Sequence, residues 1–285
     1  MAIGTTASPT PTTDKPPRRR RRLPLSLRLF AALLTLLGLG SVLSIGVPAF
    51  RQRAAIREVN RVGGAVVTQF PGTHWFRHRL GDERAEWFED LVNANLDETP
   101  ATDVTVSYLG RITKLRRLSL DGTQISDLAL AHLSRLKDLN ELSLTNTRVT
   151  DVGMSHLRDL PNLTTLVLNR TDVTGTGLPP LPHLKLLFLE GAPVTDAGVE
   201  RVSRLESVEY LWLGSTQIVD GSMVHLKNMK GLVALSLDNT RITDAGLAEL
   251  RNMRGLVVLS LDGTKVSDAG VADLQQALPR LHIER

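Results

Sequence analysis

The strongest constraint on this chain is its resemblance to itself. Aligned on a leading apolar residue, seven copies follow one another: "LRRLSLDGTQISD" from Leu115, "LNELSLTNTRVTD" from Leu139, "LTTLVLNRTDVTG" from Leu163, "LKLLFLEGAPVTD" from Leu184, "VEYLWLGSTQIVD" from Val208, "LVALSLDNTRITD" from Leu232 and "LVVLSLDGTKVSD" from Leu256. Most starts lie 24 residues apart, and the copy at Leu163 is three residues shorter. A degenerate copy, "LVNANLDETPATD", begins at Leu91, and "LHIER" closes the chain. The alternating L-x-L element predicts a short strand with its leucines on one side. The second half of each unit spaces apolar residues as a helix does, for example Leu247, Leu250 and Met253. Neither element can bury its apolar face alone, so the units must stack into one continuous core.

The pattern L-x-x-L-x-L-x-x-T-x-[VI]-[TS]-D resembles that of leucine-rich repeat proteins over roughly residues 91–285. The resemblance implies an α/β fold: a curved solenoid with a parallel sheet on the concave side and helices on the convex side. The "TDAGL" helix start is similar to repeats of ribonuclease-inhibitor-like and F-box-associated proteins. No F-box-like helical segment is present, so a ubiquitin-ligase role does not carry over. A helix, a Gly-Gly turn and a strand ahead of the repeats ("RAAIREVNRVGGAVVTQF") resemble the plan of bacterial membrane-anchored members.

Two polar columns run through the units. Thr99, Thr123, Thr147, Thr171, Thr216, Thr240 and Thr264 occupy the position where the family usually has Asn or Cys, and Ala192 breaks the column. Their hydroxyls are expected to bond backbone groups of neighbouring coils. Asp127, Asp151, Asp196, Asp220, Asp244 and Asp268 open the helical segments, where the Asp or the preceding hydroxyl serves as N-cap and complements the helix dipole. In the unit at Leu163, Gly175 replaces this Asp and "GLPPLPHL" predicts a non-helical segment.

The charge of the chain is uneven. The formal balance is +4, but Lys15, Arg18 to Arg22, Arg28, Arg51, Arg53, Arg57 and Arg61 fall in the first 61 residues against only Asp14 and Glu58. The repeats are therefore mildly acidic, which disfavours a nucleic-acid partner. Residues 1–22 read as a disordered basic cytoplasmic tail, and 23–50 as a transmembrane signal-anchor helix with an uncharged run from Leu29 to Phe50. The denser positive flank places the N-terminus in the cytoplasm and the repeats in the periplasm or outside the cell, the membrane being the bacterial inner membrane. "VPA" at 47–49 keeps a cleaved signal peptide open as an alternative. Residues 51–90 are expected to cap the solenoid as helix, strand and an amphipathic segment that carries Trp75 and Trp87.

Chemistry is sparse. There is no cysteine. We find no nucleophile–base set and no phosphate-binding loop, and the recurring acids sit at capping positions. His132, His156 and His225 share one outer position without a carboxylate and read as surface residues rather than a metal site. No catalytic residue, metal or cofactor is expected. The candidate site is a surface. Side chains alternate across a strand, so one column reads Ser119, Ser143, Val167, Phe188, Trp212, Ser236, Ser260 and its neighbour Arg117, Glu141, Thr165, Leu186, Tyr210, Ala234, Val258. Val167, Leu186, Phe188, Tyr210 and Trp212 should form one apolar patch bordered by Asn169, Arg170 and Glu190. The expected function is recognition of a protein or peptide through this patch, without catalysis. Self-association through the same patch is the alternative.

Overall fold

The computed structural model describes residues 47–71, 78–79 and 89–285. The basic tail, the apolar run as far as Gly46, and Trp75 and Trp87 lie outside the described residues. Among the described residues no helix is long and apolar enough to cross a membrane.

Ten strands form one sheet in chain order: β1 (Ala65–Gln69), β2 (Asp90–Asn95), β3 (Arg117–Ser119), β4 (Glu141–Ser143), β5 (Thr165–Val167), β6 (Leu186–Phe188), β7 (Tyr210–Trp212), β8 (Ala234–Ser236), β9 (Val258–Ser260) and β10 (His282–Glu284). β2 to β10 are parallel, one strand per unit, and β1 runs antiparallel to β2. The pairing puts like on like: Leu118, Leu142, Leu166, Leu187, Leu211, Leu235 and Leu259 stand side by side. None of these exceeds 2% exposure. A slip of one residue would turn every one of them out of the core, so the leucine period fixes the register.

Each strand ends after three residues because the chain then enters a turn. Glu98, Gly122, Asn146, Arg170, Gly191, Ser215, Asn239 and Gly263 occupy equivalent places there, all with φ between 54° and 68°. Only glycine, and to a lesser extent Asn, adopts that conformation readily. Behind the turn the threonine column is buried except at its two ends, Thr99 and Thr264, which are half-buried, and its bonding differs from the expectation. Each hydroxyl donates to the carbonyl three residues back in its own coil, as in Thr147 to Leu144 (2.7 Å) and Thr216 to Leu213 (2.6 Å). The threonines therefore tie off the strand exit within a coil and do not join coils, because the turn folds the chain back over its own strand.

Short helices follow: α1 (Val47–Arg61) ahead of the repeats, then α2 (Asp103–Leu109), α3 (Asp127–Leu133), α4 (Asp151–Met154), α5 (Asp196–Val202), α6 (Asp220–Leu226), α7 (Asp244–Ala248) and α8 (Asp268–Ala277). Between β5 and β6 there is no helix, as the proline-rich short unit predicts. The residue before most helices caps it: the hydroxyls of Ser126, Thr150, Thr195, Thr243 and Ser267 accept from backbone N–H groups in the first turn.

The aspartates do more than complement the dipole. Asp127 accepts from both the N–H and the hydroxyl of Thr150 in the next coil (2.8 Å each). Asp103 does the same with Ser126, Asp151 with Thr174, Asp220 with Thr243 and Asp244 with Ser267. This carboxylate ladder stitches coil to coil on the helical side. Space for it explains a glycine column: a Cβ at Gly153, Gly246 or Gly270 would fall 2.2–2.4 Å from the Oδ1 of Asp127, Asp220 or Asp244.

One coil solves the same problem in reverse. Val219 stands at the cap position and has no hydroxyl, and Ser222 stands where neighbouring coils have glycine. The Ser222 hydroxyl is buried, donates to Asp196 and accepts from the Val219 N–H. The missing hydroxyl has moved three residues along the chain, and the bond to Asp196 survives.

At the N-terminal end α1 packs against α2. Gly63, at φ 88°, ends α1, and Gly64 donates back to the Val59 carbonyl (2.9 Å). Gln52 reaches β2, accepting from the Leu91 N–H at 3.0 Å. Glu58 is held below the usual carboxylate range, first by its hydrogen bond from Arg61, and also accepts from Thr105 of α2.

Candidate functional site

The first and third residues of each three-residue strand stand on the open face of the sheet, and the middle leucine on the core face. Pairing therefore sets Val167 beside Phe188 and Phe188 beside Trp212, with Thr165, Leu186 and Tyr210 as the parallel row. The expected patch is assembled, and it packs on itself. The Phe188 and Trp212 rings stack with centroids 4.2 Å apart and planes 10° from parallel. Tyr210 lies 6.1 Å from Trp212 at 13°. Val167, Leu186, Phe188, Tyr210 and Trp212 are consequently half-buried rather than fully exposed. On the strand side away from Phe188, the neighbours of Trp212 are Ser236 and then Ser260.

From the columns alone, a position that serine fills in the outer coils would be one the scaffold leaves free. The hydrogen bonds correct this. Ser119 donates to Asp97 (2.5 Å), Ser143 to Asp121 (2.6 Å) and Ser260 to Asp238 (2.6 Å), each acceptor lying in the preceding coil. The same Asp oxygens accept the backbone N–H of Asp121, Thr145 and Asp262. Serine at these three places is thus part of a second inter-coil ladder, on the open face, whereas Ser236, which faces Gly214, donates to Asp238 of its own coil at 3.0 Å. In the middle of the sheet that ladder is interrupted. Asn169 keeps only the backbone half, accepting from the Glu190 N–H at 2.8 Å, and Phe188 offers it nothing. No described residue donates to the Glu190 side chain, and Trp212 stands where the serine would be.

The border residues divide. Asn169 is engaged in the scaffold through that bond. Arg170 is exposed and holds a left-handed conformation at φ 54°, its stem lying against Gly191. A bulky residue in that region is strained, and the fold itself is served by Gly or Asn at five equivalent turns. Glu190 is half-buried.

Besides Glu190, acids that the sequence reading left out of the site complete the face. At strand-facing positions and two residues beyond stand Asp97, Asp121, Glu141, Glu190, Asp238, Asp262 and Glu284. Arg117, paired with Glu141 at 3.1 Å, and His282, 3.8 Å from Glu284, are the basic groups there among the described residues. The charge bias was present in the sequence columns, but which acids face outward depends on the register. The open face also carries a cavity of about 220 Å3 between β1 and β4, lined by Val67, Asn93, Asn95, Arg117, Glu141 and Ser143 among others. A larger recess of about 610 Å3 lies at the strand entries beside the short unit, lined by His183, Lys185, Glu209 and Val233 among others. Neither contains the aromatic residues. No group of His, Asp or Glu suited to a metal occurs among the described residues.

Comparison with known proteins bears on this geometry. Residues 113–173 match the leucine rich repeat family model. Among solved structures, internalin C2 from Listeria monocytogenes superposes with a TM-score of 0.55 at 26% identity, over 68% of this chain and 80% of that one. The solenoid is a leucine-rich repeat fold. Two further structures are similar over part of it. A second internalin from Listeria monocytogenes gives a TM-score of 0.40 at 21% identity, over 79% of this chain and 76% of that one. A leucine-rich repeat protein from Leptospira interrogans gives 0.46 at 20%, over 63% and 51%. No curated protein matches the chain. The repeat accounts for the leucines, the threonines and both aspartate ladders, and not for the aromatic residues of the middle coils.

Proposed function

We propose that this chain is a membrane-anchored, non-enzymatic recognition protein. It binds a protein or peptide partner on the concave open face of its leucine-rich repeats, through Val167, Leu186, Phe188, Tyr210 and Trp212, with Asn169, Arg170 and Glu190 along the border. The apolar run from Leu29 and the basic residues ahead of it support a single-pass anchor in the inner membrane, with the repeats in the periplasm or outside the cell. The "TDAGL" helix starts support the ribonuclease-inhibitor-like or F-box-associated-like repeat type.

One observation carries the reading. In two adjacent coils an inter-coil hydrogen bond that serves the fold is replaced by a stacked aromatic pair. Half-buried aromatic residues rimmed by polar groups are the side chains that dominate binding energy at interfaces. The test is photocrosslinking in intact cells, with a benzophenone amino acid at position 212 of the full-length chain and a control at Thr145. The expected result is a discrete adduct from position 212 that Phe188→Ala abolishes. Identical adducts from both positions, or adducts indifferent to Phe188, would defeat the proposal.

A further inference from the structure

Accepting that the aromatic face is the binding site, its surroundings restrict what can occupy it. Towards the N-terminal end the acids are spoken for: Asp97 and Asp121 each hold a serine hydroxyl and a backbone N–H, and Glu141 is paired with Arg117. Around the aromatic coils and beyond them the balance differs. Glu190 is half-buried beside the Phe188–Trp212 stack, and neither it nor the exposed Asp262 receives a hydrogen bond from a described side chain. Asp238 lies between them along the same column, already holding the hydroxyls of Ser236 and Ser260 and the Asp262 N–H, and Glu284, beside His282, continues the row that holds Trp212, Ser236 and Ser260. No lysine or arginine stands at strand-facing positions from β5 to β10 among the described residues. Adjacent strands are ~4.8 Å apart, so these carboxylates line a short track along one side of the indole.

We infer that the occupant is a cationic, arginine-bearing peptide segment of the partner. Its guanidinium groups lie against Trp212 and Tyr210 and reach the carboxylates of Glu190 and Asp262, the two that hold no ladder bond. The planar guanidinium suits both surfaces at once: it stacks on an aromatic face and donates in a fork to a carboxylate. A lysine offers a point charge and loses the stacking half. An acidic segment meets like charge along the whole track.

The test uses the full-length chain and three synthetic peptides built from four repeats of Gly-Arg, Gly-Lys or Gly-Tyr, with binding followed by isothermal titration at 50 mM and 300 mM salt. The arginine peptide should bind more tightly than the lysine peptide and weaken several-fold at the higher salt. Trp212→Ala should weaken it by ~10-fold or more, and Glu190→Gln with Asp262→Asn by roughly 5-fold to 10-fold. These two carboxylates hold no ladder bond, so the double variant should keep the wild-type circular dichroism spectrum. Arginine-peptide binding that ignores both variants overturns the inference. Trp212-dependent binding of the tyrosine peptide alone also overturns it, while leaving the aromatic face as the site. If no peptide binding depends on Trp212, both readings fall. A dimer in sedimentation that Trp212→Ala dissolves would put a second copy of the chain there instead.

Discussion

The outer coils and the middle coils of this sheet share a backbone and differ in what joins them. In the outer coils the pairs Asp97–Ser119, Asp121–Ser143 and Asp238–Ser260 cross from one strand to the next on the open face. In the middle coils Asn169 faces Phe188 and Glu190 faces Trp212, so that crossing bond is lost. On the helical side the other ladder misses one junction, where Gly175 stands in place of the Asp and the Thr195 N–H goes to the Thr174 carbonyl, and it resumes at the next, where Ser222 restores the hydroxyl that Val219 lacks. A scaffold defect would be expected to relax on both sides. In the Trp212 coil the helical side keeps its bond by a compensating exchange, while the open face is given over to aromatic side chains. The fold tolerates the aromatics; it does not call for them.

The comparison predicts graded effects. Leu211→Ala and Leu118→Ala remove fully buried side chains from a middle and an outer coil. Each should lower unfolding stability by about 2–5 kcal/mol in urea denaturation; a clear difference between them would mean that the middle coils have a different core. On the open face, Asp121→Ala should cost about 1–3 kcal/mol, because it strands a serine hydroxyl and a backbone N–H. Glu190→Ala, which strands nothing, should stay within about 0.5 kcal/mol of wild type.

The helical-side exchange can be tested as a double-mutant cycle. Ser222→Gly deprives Asp196 of its donor and should cost about 1 kcal/mol, and adding Val219→Thr should recover most of it. Purely additive losses would show that the two positions are not one device. A smaller, pH-dependent effect belongs to Asp244. Hydrogen bonds from Ser267, the side chain first and then the backbone, hold its carboxyl below the usual range. A depressed carboxylate stabilises the fold above its unfolded value of ~3.9, and the benefit fades as pH falls through the lower folded value. The stability difference between wild type and Asp244→Asn should therefore be present at pH 6 and shrink below about pH 4.

Much of this was legible in the sequence. The leucine period set the register, the proline-rich short unit announced a coil without a helix, and the aromatic residues fell in adjacent places once the strands were aligned. What escaped was the identity of bonding partners. Ser119 and Asp97 lie in different copies, and a column of serines reads the same whether or not its hydroxyls are engaged. The threonine hydroxyls were assigned to neighbouring coils, and the structure returns them to their own because the left-handed turn folds back on the strand. The half-burial of Trp212 was likewise hidden, since it arises from a ring one strand away. Ser222 could have been found: it is a polar residue at a glycine position in the one full-length repeat coil whose cap lacks a hydroxyl.

If the aromatic coils do not hold the fold together, the pair used by the outer coils can take their place. The double variant Glu190→Asp/Trp212→Ser rebuilds in the middle of the sheet the pair that the outer coils use. Its urea unfolding free energy is the most direct test. The account predicts a value within about 1 kcal/mol of wild type, the new inter-coil hydrogen bond offsetting the lost stacking and burial. A loss of about 3 kcal/mol or more, the size expected for removing a core aromatic, would make Trp212 part of the scaffold and contradict it.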